Sequence, residues 1–104
     1  MDFKEYQERA KETAVYPEQH KIYYPALGLS AEIGELNNKI KKRMRDGAVL
    51  DKADLAKEIG DVLWYISALC TDLDISLHDA AVQNIEKLKS RKERGVLQGS
   101  GDNR

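Results

Sequence analysis

One cysteine in 104 residues leaves no partner for a disulfide, so nothing in this chain is held by an internal crosslink. Cys70 stands in an apolar run, which suits a buried thiol in a reducing compartment and makes the cytoplasm the expected location. No apolar stretch is long enough to span a bilayer. The amino terminus, opening on Asp2 and mixed charges, has neither the basic start nor the apolar run of a signal peptide. An excess of one charge is missing too: 17 Lys and Arg stand against 18 Asp and Glu, and a formal net charge of -1 gives no electrostatic case for duplex nucleic acid or an anionic membrane. Proline is scarce, with 2 residues, so long helices are permitted. There is no Gly-rich phosphate loop, no Cys/His zinc spacing and no nucleophile triad.

What the chain does have is one acidic phrase written twice, Glu32-Ile33-Gly34-Glu35 and Glu58-Ile59-Gly60-Asp61. In a helix, carboxylates three positions apart share a face. The copies mirror each other about Asp46-Gly47, so antiparallel helices joined there bring Glu32 level with Asp61 and Glu35 level with Glu58. The same mirror sets Ile33 opposite Gly60 and Gly34 opposite Ile59, large against small, which predicts a close approach of the two backbones at the glycines. Four like charges at one level repel unless cations hold them together, and the pattern therefore points to a divalent metal site.

Around this pair the chain reads as four helices of an all-α, four-helix bundle-like domain, with the acids on a central antiparallel pair. Asp2 with Glu5 resembles a capping box, and Phe3, Tyr6, Ala10 and Ala14 predict a first helix to about Val15, stopped by Pro17. Residues Tyr16 to Tyr24 read as an aromatic loop. Pro25 suits the first turn of a second helix, with an apolar stripe of Leu29, Ile33, Leu36, Ile40 and Met44. Lys39, Lys41, Lys42, Arg43 and Arg45 at its carboxyl end read as a solvated face suited to the helix dipole.

Asp51 with Asp54 caps a third helix reaching about Leu73, apolar nearly all the way round because Leu63, Trp64, Tyr65 and Cys70 widen its stripe. Such a helix is central in its bundle or buried between subunits. Ser76 with Asp79 opens a fourth helix that Gly95 ends. The chain is one domain over residues 1–95, and residues 96–104, rich in glycine and polar groups, read as a flexible tail.

These residues resemble the all-α nucleoside triphosphate pyrophosphohydrolases of the MazG-like superfamily, whose pattern is Glu-x-x-Glu, a spacer, then Glu-x-x-Asp. Gly28-Leu29, Gly60-Asp61-Val62-Leu63-Trp64-Tyr65 and Asn84-Ile85-Glu86-Lys87-Leu88-Lys89-Ser90-Arg91 also look like the family, over roughly residues 26–95. One departure is Ala31, where many members carry a further glutamate. The resemblance implies that Glu32, Glu35, Glu58 and Asp61 are catalytic and hold Mg2+, or Mn2+ in its place. It implies hydrolysis of (deoxy)nucleoside triphosphates to the monophosphate and pyrophosphate, a nucleotide-pool role. It also implies Tyr65, His20, Tyr23 and Tyr24 near the nucleoside, Asn84, Lys87 and Arg91 on phosphate and sugar, and a homodimer or homotetramer. The alternative of another class is a catalytically silent helical module that binds metal or partners. The presence of all four acids together with the Asn84 to Arg91 segment favours the enzyme.

Overall fold

The computed structural model describes residues 1–104 and contains helices and turns without strands. Helix α1 spans Phe3–Ala10, α2 Tyr23–Arg45, α3 Lys52–Asp72 and α4 Leu77–Glu93, with short 3-10 turns at Lys11–Thr13 and Glu18–His20.

Three of the four helix starts are made by local capping. The side chains of Asp2, Asp51 and Ser76 accept the backbone N–H of Glu5, Asp54 and Asp79, satisfying one of the free donors at each amino end. Glycine completes two of the ends. Gly47 after α2 and Gly95 after α4 have φ of 65° and 71°, the left-handed conformation that releases the chain from a helix.

The first helix is shorter than its apolar spacing predicts. It tightens at Lys11, and by Ala14, with ψ of 78°, it has left helical geometry altogether. The residue before Pro17 is driven toward extended backbone, so the break spreads amino-terminally. Helix α2 in turn begins two residues before Pro25, at Tyr23, behind Ile22. Ile22 has φ of 71°, an outlier for a β-branched residue, and its N–H donates to Asp72 Oδ2 at 2.9 Å.

Helices α2 and α3 make the principal packing of the molecule. Three contacts fix their register. A Cβ on Gly28 would overlap the Tyr65 ring, Glu32 clusters with Asp61, and Lys39 bonds Asp54, so positions climb one helix as they descend the other. The predicted close approach at the acidic phrases is corrected here. A Cβ at Gly34 or Gly60 would meet nothing within 4 Å, and Ile33 and Ile59 are 42% and 55% exposed. The glycine that admits a neighbour is Gly28.

Helix α4 packs chiefly on α1, and Gln7 pins its start. The Gln7 amide donates to Ile75 O at 2.9 Å and Thr71 Oγ1 at 3.2 Å, while its Oε1 accepts from Leu77 N at 2.9 Å. Beyond Gly95 the chain turns back along α4. Arg91 donates to Asp102 O at 2.7 Å, and Arg104 donates to Val96 O at 3.0 Å. The core is thin: Pro25, Ser67, Ala68, Leu77 and Arg91 are the 5 buried residues of 104. No helix is long and apolar enough to cross a membrane.

Candidate active site

Glu32 on α2 and Glu58 and Asp61 on α3 each bring a carboxylate oxygen to within 4.8 Å of the others. The helix period puts Glu58 and Asp61 on one face of α3, and the register of the hairpin sets Glu32 against them. Glu58 is 12% exposed at its side chain, and one oxygen each of Glu32 and Glu58, Oε2 in both, is buried with no hydrogen-bond partner. A buried carboxylate oxygen without a partner is costly in a folded chain.

The charges around them are unevenly compensated. Lys39 Nζ donates to Glu58 Oε1 at 2.8 Å and to Asp54 Oδ1 at 2.9 Å. Those bonds, first to Glu58 and then to Asp54, raise the Lys39 ammonium above its ordinary value, and the bond from Lys39 holds Asp54 below its own. Glu32 has no such cation. Burial, then the charges of Glu35 and Asp61, then the proton it can share with Glu58 and the charge of Glu58, push its carboxyl above the usual carboxylate range.

Glu35 lies outside the group of three. It is exposed and lines a shallow surface with Ala31, Gly34 and Lys41, although Glu32 feels its charge.

Beside the acids runs a series of aromatic rings. Burial, then the charges of Tyr24 and Glu32 among other neighbours, push the Tyr65 phenol above its ordinary value. Tyr24 lies 6.5 Å from Tyr65 and stacks on Tyr16 at 4.6 Å and 20°, while Trp64 meets Tyr65 edge-on at 5.1 Å. These rings and Pro17 wall a cleft of about 310 Å3. The Trp64 indole N–H donates to Thr13 Oγ1 at 2.8 Å, and the Tyr16 hydroxyl donates to Asp72 Oδ2 at 2.7 Å, so the wall is braced from behind.

The other residues singled out in the sequence are not gathered here. His20 and Tyr23 are exposed, with Tyr23 at 73%. Asn84 is exposed on α4, Lys87 lies 3.6 Å from Asp102, and Arg91 is buried under residues 101–102. Lys39 and Asp72 join the site from the structure alone. Lys39 carried a legible signal, since the mirror that pairs position 32 with 61 also pairs 39 with 54.

The profile of the MazG nucleotide pyrophosphohydrolase domain matches residues 22–96, the span that holds the acid hairpin and α4. The chain belongs to this family. A protein of Mycobacterium phage L5 named "Gene 37 protein" is 44% identical to this MazG domain protein over 109 residues, covering 95% of this chain and 96% of its own. No solved structure is matched. The matched span holds the hairpin that sets Glu32 of the first acidic phrase against Glu58 and Asp61 of the second.

Proposed function

We propose that this MazG domain hydrolyses (deoxy)nucleoside triphosphates to the monophosphate and pyrophosphate with a divalent cation, Mg2+ or Mn2+, on its acids. The observation that carries the reading is the pair of buried, unpartnered oxygens on Glu32 and Glu58 beside Asp61. An all-carboxylate donor set fits a hard cation that prefers oxygen. Glu32, Glu58 and Asp61 would hold it, with Glu35 next to them on the outer side. Bound there, the cation would supply charge to the phosphate oxygens and lower the pKa of a bound water.

The chain's own residues account for the rest. Water oxygen attacks the α phosphorus, the bond from that phosphorus to the bridging oxygen of the β phosphate breaks, and pyrophosphate leaves with the electron pair. Carboxylates of the set orient the water and take its proton. The nucleoside lies along the Tyr65, Tyr24 and Tyr16 cleft, where a base finds ring faces. Asn84, Lys87 and Arg91 meet phosphate and sugar from the α4 of a second copy, because α4 packs on α1 within its own chain. In that arrangement phosphate takes the place of Asp102 on Lys87 and Arg91.

The test is pyrophosphate release from a panel of canonical and modified nucleoside triphosphates, with and without Mg2+. Release that needs the metal supports the reading. Silence across the panel by folded, metal-bound protein overturns it in favour of a helical scaffold.

A further inference from the structure

Lys39 sits in a run of cations at the end of α2, yet its contacts differ from those of its neighbours. Its ammonium bridges two carboxylates of α3 that stand one helical turn apart, Asp54 Oδ1 at 2.9 Å and Glu58 Oε1 at 2.8 Å. The bond takes one oxygen of Glu58 and leaves the other, Oε2, buried and unpartnered in a carboxylate that clusters with Glu32 and Asp61. A carboxylate held through one oxygen has lost its freedom to rotate about its terminal torsion. It presents the second oxygen in a fixed direction.

We propose that Lys39 is a positioning residue, which holds Glu58 through Oε1 so that Oε2 faces a divalent cation together with Glu32 and Asp61, and that Asp54 in turn holds Lys39. The inference rests on the metal reading given above and adds residues to it that do not touch the ion.

An ammonium near a cation site has two opposed effects. It orients a ligand, and it repels the ion. Asp54 decides between them, because its carboxylate lies as close to the ammonium as Glu58 does and cancels the lysine's charge at longer range. What remains at the site is the directional bond. Outer hydrogen bonds of this kind are worth about 10–100-fold in metal affinity where they have been removed from other sites.

The experiment is calorimetric titration of the full chain with Mn2+ alone, with no nucleotide present, for the parent and for Lys39→Met, Lys39→Arg and Asp54→Asn. The expected result is a loss of about tenfold or more in Mn2+ affinity for Lys39→Met. Lys39→Arg, which can still donate to both acids, recovers most of it. Asp54→Asn, which leaves the lysine charge uncancelled, weakens binding by a few-fold and serves as the test if Lys39→Met fails to fold. Steady-state kinetics at saturating Mn2+ add a second readout, with KM for the nucleotide close to that of the parent. Lys39→Met binding within twofold of the parent, or more tightly, overturns the inference and leaves the metal reading standing. So does unchanged binding by Asp54→Asn if that variant alone folds. A parent chain that binds no Mn2+ overturns the metal reading and this inference with it.

Discussion

Glu32 is a half-buried acid of the hairpin with no cation beside it. Lys39 attends to Glu58, and nothing cationic reaches Glu32, whose Oε2 is buried and whose carboxyl is raised by burial and then by Glu35, Asp61 and Glu58. With a raised value in the folded state, the folded chain binds the proton more tightly than the unfolded one. Stability of the metal-free protein therefore falls as pH rises from the ordinary carboxylate range through that raised value. Glu32→Gln removes the penalty. In the presence of a chelator it should melt higher than the parent by on the order of a few degrees at pH 7.5, with the gap closing toward pH 4. Its activity should drop by ~100-fold or more, the scale of losing one group that stabilises charge in a transition state. An equal or lower melting point at pH 7.5 would show that the acid is not strained. Gly28 offers a second test at this scale. Its missing Cβ is the space that the Tyr65 ring fills, so Gly28→Ala should cost about 1–3 kcal/mol by overpacking, read from denaturant unfolding. A neutral result would mean that the ring can step aside.

At the scale of elements, the segment between α1 and α2 is held from a distance. Asp72, at the far end of α3, accepts both the Tyr16 hydroxyl and the N–H of Ile22, and so fixes the one strongly unfavourable backbone turn in the chain, at Ile22. Burial, then the bond to Asp72, hold the Tyr16 phenol well above its ordinary value. The sign follows: a proton retained by the folded state and lost by the unfolded one makes stability fall as pH rises above about 10, the ordinary phenol value. Tyr16→Phe should thus be less stable than the parent at pH 7, by about 1–2 kcal/mol for a lost hydrogen bond to a charged acceptor, and should lose less between pH 9 and 11. Parallel alkaline melting curves would remove Tyr16 from that role. The same segment explains what could be read from sequence. The starts of α3 and α4 were legible because Asp51 and Ser76 cap residues three positions away. The start of α2 was legible at Pro25, which falls in its first turn, but the turn at Ile22 before it was not, because its anchor, Asp72, lies 50 residues downstream. Among site residues, Glu32, Glu58 and Asp61 stood out by their mirrored spacing. Nothing local separates Glu35 from them, and among the neighbouring cations of its helix Lys39 is marked only by the same mirror, which sets it opposite Asp54.

At the scale of the whole molecule, the chain is wider and exposes more surface than a compact monomer of its length. The radius of gyration is 16.7 Å, whereas a compact chain of about 100 residues has roughly 13 Å. The accessible surface is 7830 Å2, against about 5,900 Å2 for a compact monomer of 11.8 kDa. The difference, of the order of 2,000 Å2, is the size of a substantial subunit interface. Its chemistry agrees, since Ile33, Ile59, Val82, Ile85 and Leu88 are all left exposed on α2, α3 and α4. We therefore expect light scattering at micromolar concentration to give a dimer or tetramer. Ile85, 65% exposed and one residue from Asn84, is the place to break it. Ile85→Glu puts a charge where an apolar contact is expected, and it should shift the protein to monomer and reduce nucleotide hydrolysis by at least ~10-fold, because in the proposed assembly α4 of one copy would no longer reach the acids of another. Mn2+ affinity should stay close to the parent's, since Glu32, Glu58 and Asp61 all come from one hairpin. That separation identifies the fault. A monomeric Ile85→Glu that retains full turnover would mean that each chain completes its own site, and loss of Mn2+ binding along with assembly would mean that the hairpin itself depends on the partner.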